Sequence, residues 1–180
     1  MPAEQPAVFF DRDGTLIEEV DYCDHPSRVR AVPGAPEVLL KLAEAGFALV
    51  IVTNQSGIGR GYFTREDYER VHEEVIWQLK PAVIAGTYYD DSTPDKPSAR
   101  RKPSPAMLEE AAREHGLDLS RSWMVGDKTS DIECGKNAGL RTVLVETGHG
   151  RGHRDCGADA VVPDIGFAAD YILQESGCAK

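Results

Sequence analysis

The sequence predicts an α/β protein with a Rossmann-like parallel sheet and helices on both faces. Two observations predict this class: strand-like segments alternate with helical segments along the chain, and the strand-like segments are apolar without interruption. Strands that are buried on both faces, as in parallel sheets, have this continuous apolar pattern. With 180 residues and 41% hydrophobic residues, the chain fits one domain over residues 1–180.

Each element of the first half has its own signal. Residues 7–11 and 47–53 are short apolar runs and are predicted to be buried strands. Between them, an amphipathic pattern over 35–45 predicts a helix. Pro36 lies near its start and Gly46 directly after its end, which are favoured positions for these two residue types.

The second half continues the alternation. Thr64 is a suitable N-cap and Pro81 stops a helix, so residues 64–80 are predicted to be helical. A strand over 86–90 and an irregular polar segment over 91–103 follow. The remaining predicted elements are a helix over 104–115, a strand over 122–127, a helix over 129–139, strands over 141–146 and 159–163, and a helix over 164–175.

The composition limits the partners of the protein. The formal net charge is −10, which disfavours non-specific binding to nucleic acid or anionic lipid. No run approaches the roughly 18 apolar residues of a membrane-spanning helix, and no secretory signal pattern is visible. The four cysteines form no CxxC pair, which favours reduced thiols. We therefore expect a soluble, cytoplasmic monomer that binds no nucleic acid and no membrane, while small anionic substrates remain allowed.

Polar and reactive residues collect at the carboxyl ends of four predicted strands. The first strand ends at Asp11 and Asp13, and the second at TNQSG (53–57). The third leads into RRKP (100–103), and the fourth ends in GDKTSD (126–131). Ligands of parallel sheets bind beyond the carboxyl ends of the strands. We therefore expect these four groups of residues to meet at one crevice.

Each of these motifs also has a plain structural explanation when it is taken alone. Aspartate and glycine are common in turns, TNQSG resembles an ordinary polar turn, cation runs are often solvated, and GDKTSD contains good helix caps. A calcium loop that begins at Asp11 is excluded. Such a loop needs glycine at its sixth position and glutamate at its twelfth, where this chain has Leu16 and Tyr22. The convergence of all four motifs favours function over coincidence.

The combined set of residues suits phosphoryl transfer. Asp11, Asp13 and Asp127 bring carboxylates together, and carboxylate oxygens are ligands that suit Mg²⁺. Positive charge comes from Lys102, Arg101, Lys128 and the backbone N–H groups near 53–57. Positioning a phosphoryl group and neutralising its oxygens accounts for most of the catalysis in such reactions.

These motifs resemble those of the haloacid dehalogenase (HAD) superfamily of phosphohydrolases. DRDGT, Thr53, RKP and GDKTSD match the four motifs of that superfamily in type, order and position relative to the strands. The longer stretches FFDRDGTL, TNQSGIGRGYFT and RRKPSPAML are similar to the histidinol-phosphate and D-glycero-D-manno-heptose 1,7-bisphosphate phosphatases, and more to the latter. The resemblance covers about residues 7–150 and implies a HAD-like fold and a Mg²⁺-dependent phosphatase of small phosphorylated metabolites.

The resemblance also implies a role for each matching residue. Asp11 would be the nucleophile that forms an aspartyl-phosphate, and Asp13 the general acid and base. Asp11, Asp127 and the backbone carbonyl of Asp13 would hold Mg²⁺, with Asp131 beside them. Thr53 and Lys102 would bind the phosphoryl group. The rest of the substrate would meet Asn54, Gln55, Ser56, Arg101 and Lys128, with Glu19 and Tyr22 at the entrance.

One segment departs from the pattern of these phosphatases. The relatives carry a Cys/His cluster with a structural zinc before RKP, whereas this chain has DDSTPDKPSAR over 90–100, without Cys or His. We therefore predict that no zinc binds there. His149, His153 and Cys156 have a metal-like spacing, but a flexible Gly/Arg loop is the favoured interpretation of that segment.

The leading functional hypothesis is the removal of the 7-phosphate of D-glycero-D-manno-heptose 1,7-bisphosphate. No large cap domain fits between the motifs, so the site is expected to be open or covered only by loops. An open site keeps histidinol phosphate and a DNA 3′-phosphate as alternatives, although the acidic charge argues against DNA. A binding protein without turnover is disfavoured, because binding alone does not require an acid/base group at Asp13.

Overall fold

Six parallel strands form the sheet at the centre of the structure, a computed structural model that describes residues 4–178. The strands are β1 (Ala7–Phe10), β2 (Ala48–Asn54), β3 (Gly86–Asp90), β4 (Trp123–Gly126), β5 (Arg141–Val145) and β6 (Ala160–Val162). Their order is β3–β2–β1–β4–β5–β6, and every neighbouring pair is parallel. The predicted parallel α/β fold is confirmed.

Helices cover both faces of the sheet. The helices are α1 (Ala35–Glu44), α2 (Ser56–Gly59), α3 (Arg65–Gln78), α4 (Ala106–His115), α5 (Thr129–Asn137) and α6 (Ile165–Glu175). Apolar residues of α1, α3 and α6 pack with Val8 and Phe10 on one face. Residues of α4 and α5 pack with Ala7 and Phe9 on the other. Because successive side chains of a strand point to opposite faces, β1 contributes to both cores.

The ends of the helices follow local signals where the chain has them. Thr64 accepts a hydrogen bond from the backbone N–H of Asp67 at 3.1 Å, and the Asp67 carboxylate accepts one from the backbone N–H of Thr64 at 2.8 Å. This capping box begins α3 at the predicted place. The short helix α2 was not predicted, since a single turn is too short to show apolar periodicity. Four 3₁₀ turns, at 26–28, 119–121, 150–152 and 154–156, were likewise not predicted.

The strand order reverses at β1, which is therefore the switch point of the sheet. The chain continues from β1 to β2 on one side and reaches β4 on the other side, so a crevice opens at the carboxyl ends of β1 and β4. All six described strands belong to this sheet, and connecting segments such as 11–34, 91–105 and 146–159 flank the crevice. Within residues 4–178, no helix has the length and apolar character needed to cross a membrane.

The half-buried His72 on α3 gives an expected pH dependence of stability. Burial, followed by the nearby charge of Arg12, lowers the pKa of His72 from 6.5 to about 4, whereas Asp13 acts in the opposite direction. Its ring stacks on Tyr68 at 5.8 Å. Between pH 6.5 and 4 the unfolded chain therefore binds more protons at this residue than the folded chain, and the free energy of unfolding falls as pH falls.

Urea unfolding at pH 7 and pH 5 measures this effect. The loss of unfolding free energy between the two pH values should be smaller in His72→Gln than in the wild type. Equal losses in both proteins would contradict this role of His72.

Candidate active site

The nucleophile candidate and the acid/base candidate follow β1 and differ in exposure. The backbone N–H of Asp11 donates to the carbonyl of Val125 on β4 at 2.9 Å, so this residue still continues the sheet. Asp11 is buried, whereas Asp13 is partly exposed. Gly14 then turns the chain with φ +82°, and a Cβ there would overlap the carboxylate of Asp127. Glycine therefore allows β1 to end directly against the end of β4.

Lys102 joins the ends of β1 and β2 to the first turn of α5. Its Nζ lies 2.8 Å from Asp11 Oδ1, 2.7 Å from Asp131 Oδ1 and 2.8 Å from the carbonyl of Val52. The side chain is buried, and its burial alone would lower the pKa of Lys102. The two carboxylates outweigh burial and raise this pKa, so Lys102 is held as a cation.

Asn54 fixes the backbone of Lys102. The amide of Asn54 accepts a hydrogen bond from the N–H of Lys102 at 3.1 Å and donates one to its carbonyl at 3.2 Å. The predicted substrate residue Asn54 therefore acts first as a support for Lys102.

Asp13 is bound by two neighbours. Arg12, which is 1% exposed, places Nε and Nη2 at 2.9 and 3.0 Å from the two carboxylate oxygens. Gln55 donates to Asp13 Oδ2 at 2.8 Å and to Thr53 Oγ1 at 2.8 Å. Burial raises the pKa of Asp13, but the charge and hydrogen bonds of Arg12 outweigh burial and lower it. Asp13 is therefore ionised in this arrangement.

Three buried carboxylates form a cluster that fits a divalent cation. Ligand atoms of Asp11, Asp127 and Asp131 lie within 4.8 Å of one another. Asp131 is occupied by Lys102 and by the backbone N–H of Lys128 at 3.0 Å, whereas Asp127 Oδ1 is buried without a hydrogen-bond partner among residues 4–178.

Lys102 compensates only part of the negative charge of this cluster. Burial, and after it the neighbouring carboxylates, raise the pKa of Asp127 to about 8 and that of Asp11 to about 6. A hard cation such as Mg²⁺ would supply both the missing partner and the missing charge.

Two connected cavities meet at Asp13. The inner chamber, of about 150 Å³, is lined by Asp11, Asp13, Thr53, Asn54, Ser56, Arg101, Lys102, Lys128, Ser130 and Asp131. The outer cavity, of about 190 Å³, is lined by residues that include Asp13, Glu19, Tyr22, Gln55, Ser56, Lys128 and His149. Each predicted site residue therefore lines one of the two cavities or belongs to the carboxylate cluster.

Tyr22 and Tyr62 form an aromatic pair beside the outer cavity. Their ring centroids are 4.6 Å apart in an edge-to-face arrangement. Tyr22 has φ +47°, and no other non-glycine residue of the described range has a positive φ. Strained backbone of this kind clusters at functional sites. Tyr62 was not among the predicted site residues.

The segment 147–157 contributes to the site, but not as the suggested His/Cys metal set. The backbone N–H of His149 donates to Asp127 Oδ2 at 2.8 Å, and its Nε2 lies 3.6 Å from Glu19 Oε2. His153 instead contacts the hydroxyl of Thr129 at 2.8 Å. Among residues 4–178, no potential metal group combines His149, His153 and Cys156. The signal that could have identified His149 is its position just after the carboxyl end of β5.

The absence of zinc near the segment 90–100 remains a prediction with a direct test. Without cysteine or histidine, the segment offers no soft ligand of the kind that structural zinc sites use. Metal analysis of protein purified from zinc-supplemented cultures should show no stoichiometric zinc. One zinc per chain would contradict our interpretation of this segment or of the region around His149.

Comparison with known proteins places this site in a family. A family model described as "HAD-hyrolase-like" matches residues 99–168. A D-glycero-D-manno-heptose-1,7-bisphosphate 7-phosphatase from Thermosynechococcus vestitus is 38% identical over 159 residues, which cover 81% of this chain and 81% of the relative. A D-glycero-beta-D-manno-heptose-1,7-bisphosphate 7-phosphatase from Yersinia pestis is 39% identical over 96% of this chain and 92% of the relative.

A solved structure extends the likeness to three dimensions. The D,D-heptose 1,7-bisphosphate phosphatase from B. bronchiseptica, complexed with magnesium and phosphate, superposes with a TM-score of 0.84 at 30% identity. The match covers 94% of this chain and 99% of that structure. The chain therefore belongs to the family of the D-glycero-D-manno-heptose-1,7-bisphosphate 7-phosphatases, within the HAD-like hydrolases.

Proposed function

We propose that this protein, a phosphoric monoester hydrolase, removes the 7-phosphate from D-glycero-D-manno-heptose 1,7-bisphosphate. The observation that carries the proposal is the juxtaposition of Asp11, Lys102 and the unpaired oxygen of Asp127 at the switch point of the sheet. The family relationship supports the choice of a sugar bisphosphate as the substrate.

Asp11 is the proposed nucleophile. Its Oδ1 accepts a hydrogen bond from Lys102, and no hydrogen bond from residues 4–178 engages its Oδ2, which is thus available to approach phosphorus. As the bond from Oδ2 to phosphorus forms, the bond from phosphorus to the sugar oxygen breaks. Lys102 and Thr53 face the same chamber and would bind the phosphoryl oxygens as their charge redistributes.

Asp13 would handle the proton in both steps. In its protonated form it would give a proton to the departing sugar oxygen. The carboxylate form, which Arg12 and Gln55 stabilise here, would then take a proton from the water that hydrolyses the aspartyl-phosphate. Asp13 lines both cavities, so we propose that the leaving oxygen lies beside Asp13 and that the transferred phosphoryl group lies beside Asp11 in the inner chamber.

The carboxylate cluster would hold the magnesium ion. Asp11, Asp127 and the backbone carbonyl of Asp13 are the proposed ligands, and Asp131 orients Lys102 and the start of α5 beside them. When bound, Mg²⁺ supplies positive charge next to the transferred phosphoryl group.

The outer cavity would bind the sugar. Glu19 and Lys128, whose charged groups lie 4.0 Å apart, offer an acceptor and donors to hydroxyl groups. Ser56 lines both cavities, and Gln55 and Tyr22 line the outer one. Arg101 lines the inner chamber, and we propose that it contacts substrate oxygens there that lie beyond the transferred phosphoryl group.

A phosphate-release screen tests the proposed function. Wild-type protein with Mg²⁺ would be assayed on the heptose bisphosphate, histidinol phosphate and a 3′-phosphorylated oligonucleotide, with p-nitrophenyl phosphate as a minimal substrate. The heptose bisphosphate should give the highest kcat/KM and should lose its 7-phosphate. A higher kcat/KM for histidinol phosphate or for the oligonucleotide would overturn the proposed substrate. No phosphate release from any tested compound would favour a binding protein without turnover.

The proposal also includes the cellular setting and the assembly state. We expect a monomer that acts in the cytoplasm on a small phosphorylated sugar, without nucleic acid or membrane partners. Light scattering on a size-exclusion column should give a mass close to the 19.7 kDa of the chain.

A further inference from the structure

Asp90 is a buried carboxylate that the proposed chemistry does not use. It lies at the carboxyl end of β3 with 4% of its surface exposed. Its Oδ1 accepts hydrogen bonds from the backbone N–H of Ser92, at 3.0 Å, and from the Ser92 hydroxyl, and its Oδ2 accepts one from the Ser98 hydroxyl. None of the ion pairs among residues 4–178 includes Asp90. A buried charge needs such donors, so Asp90 holds both serines in place.

The two serines close the polar segment that follows β3. The backbone N–H of Ser98 donates to the Ser92 hydroxyl at 3.0 Å, and the N–H of Arg100 donates to the Ser98 hydroxyl at 3.0 Å. We call Asp90, Ser92 and Ser98 the Asp90 clamp. It determines the path of the chain from the end of β3 to the basic residues of the site.

Arg101 connects the Asp90 clamp to the inner chamber. Nη1 of Arg101 donates to the carbonyl of Ser92 at 2.6 Å, and the side chain lines the inner chamber together with Asp11 and Lys102. Ser92 is thus held by Asp90 through its N–H and hydroxyl, and it holds Arg101 through its carbonyl. An arginine side chain that is fixed before binding loses less conformational entropy when its substrate arrives.

We propose that Asp90 is a positioning residue that acts through Ser92 to hold Arg101 against the part of the substrate beyond the transferred phosphoryl group. This inference rests on the proposed function and deepens it. The recognised part carries oxygen acceptors, such as a second phosphate or sugar hydroxyls, because guanidinium offers donors only. Asp90 itself touches neither the reacting atoms nor the magnesium ligands.

Asp90→Asn tests the clamp with two substrates. On the heptose bisphosphate, its KM should rise about tenfold with kcat nearly unchanged, because a misplaced positioning group weakens binding more than chemistry. On p-nitrophenyl phosphate, which lacks the distal oxygens, both constants should match the wild type. Asp91→Asn, which changes a more exposed carboxylate paired with Arg65, is the matched control and should leave both substrates unaffected.

A second set of variants separates positioning from general support of the fold. Ser98→Ala should reproduce the rise in KM, and Ser98→Thr, which keeps the hydroxyl, should restore the wild-type value. The double variant Asp90→Asn/Arg101→Ala should be no worse than Arg101→Ala alone, because both changes act on the same contact. If Asp90→Asn does not fold, the two Ser98 variants decide the question.

The outcomes keep the two proposals distinguishable. Additive effects of Asp90→Asn and Arg101→Ala, or equal losses on both substrates, would overturn the clamp while leaving the phosphatase function intact. If the wild type does not hydrolyse the heptose bisphosphate, the proposed substrate fails. The double-variant comparison then uses histidinol phosphate or the 3′-phosphorylated oligonucleotide, whichever is hydrolysed better, because both carry oxygens beyond the transferred group, and non-additivity there still supports the clamp.

Discussion

Asp11→Asn is expected to abolish phosphate release without unfolding the protein. The amide has almost the shape of the carboxylate but is not a competent nucleophile, and removal of a nucleophile commonly lowers kcat by roughly 10⁴-fold or more. The fold should tolerate the change, because Lys102 keeps its second carboxylate partner, Asp131, at 2.7 Å. The change also removes one negative charge from the crowded cluster with Asp127.

Phosphate release and trapping of a phosphorylated enzyme measure this effect. Acid quenching of the wild type with a ³²P-labelled substrate should leave label on the protein, and Asp11→Asn should carry none. Asp24→Asn serves as the control, because it removes an exposed carboxylate paired with Arg28 on the same segment after β1. Full activity of the Asp11→Asn variant would rule out the covalent mechanism.

Lys102→Met is expected to lower both stability and activity. Lys102 is 4% exposed and neutralises Asp11 and Asp131, so its loss leaves two buried carboxylates without their cation. Removal of one partner from a buried ion pair costs about 3–5 kcal/mol in unfolding free energy. Phosphate release should also fall by at least about 10²-fold, because a charge that stabilises the transferred group is lost.

Urea unfolding compares this change with a matched surface change. Lys41→Met removes the same charge from an exposed pair, in which Nζ lies 2.7 Å from Asp170, and should cost no more than about 1 kcal/mol. Added Mg²⁺ should recover part of the stability lost in Lys102→Met, since a cation bound to the carboxylate cluster replaces some of the missing charge. Equal stability of the two variants would show that Lys102 does not compensate the cluster.

The sequence predicts the sheet and the meeting of its strand ends because both depend on local patterns. Continuous apolar runs define strands such as 7–11, and the alignment of parallel strands brings Asp11 and Asp127 to one edge. Helices with clear caps, such as the one that begins after Thr64, were also placed to within two residues.

The supporting contacts depend on tertiary packing and were not predictable in this way. The motif DRDGT does not reveal that Arg12 is buried and donates hydrogen bonds to Asp13. A cation between two aspartates is equally compatible with a solvated turn. His149 approaches Asp127 through its backbone, which has no side-chain signature. The bond from Arg101 to Ser92 likewise depends on a turn whose polar sequence also suits an unstructured loop.

The central place of β1 has a consequence for how this molecule opens. The amide of Asp11 is bonded to β4 in the middle of the sheet, between strands that fray only when the whole sheet comes apart. Its hydrogen should therefore exchange with solvent at the rate of global unfolding, whereas amides in segments such as 21–25 and 153–157 should exchange through small local openings. The buried end of β1 and these exposed segments are therefore expected to open in different cooperative units. We expect sequence changes in the exposed segments to have little effect on the stability of the region around Asp11.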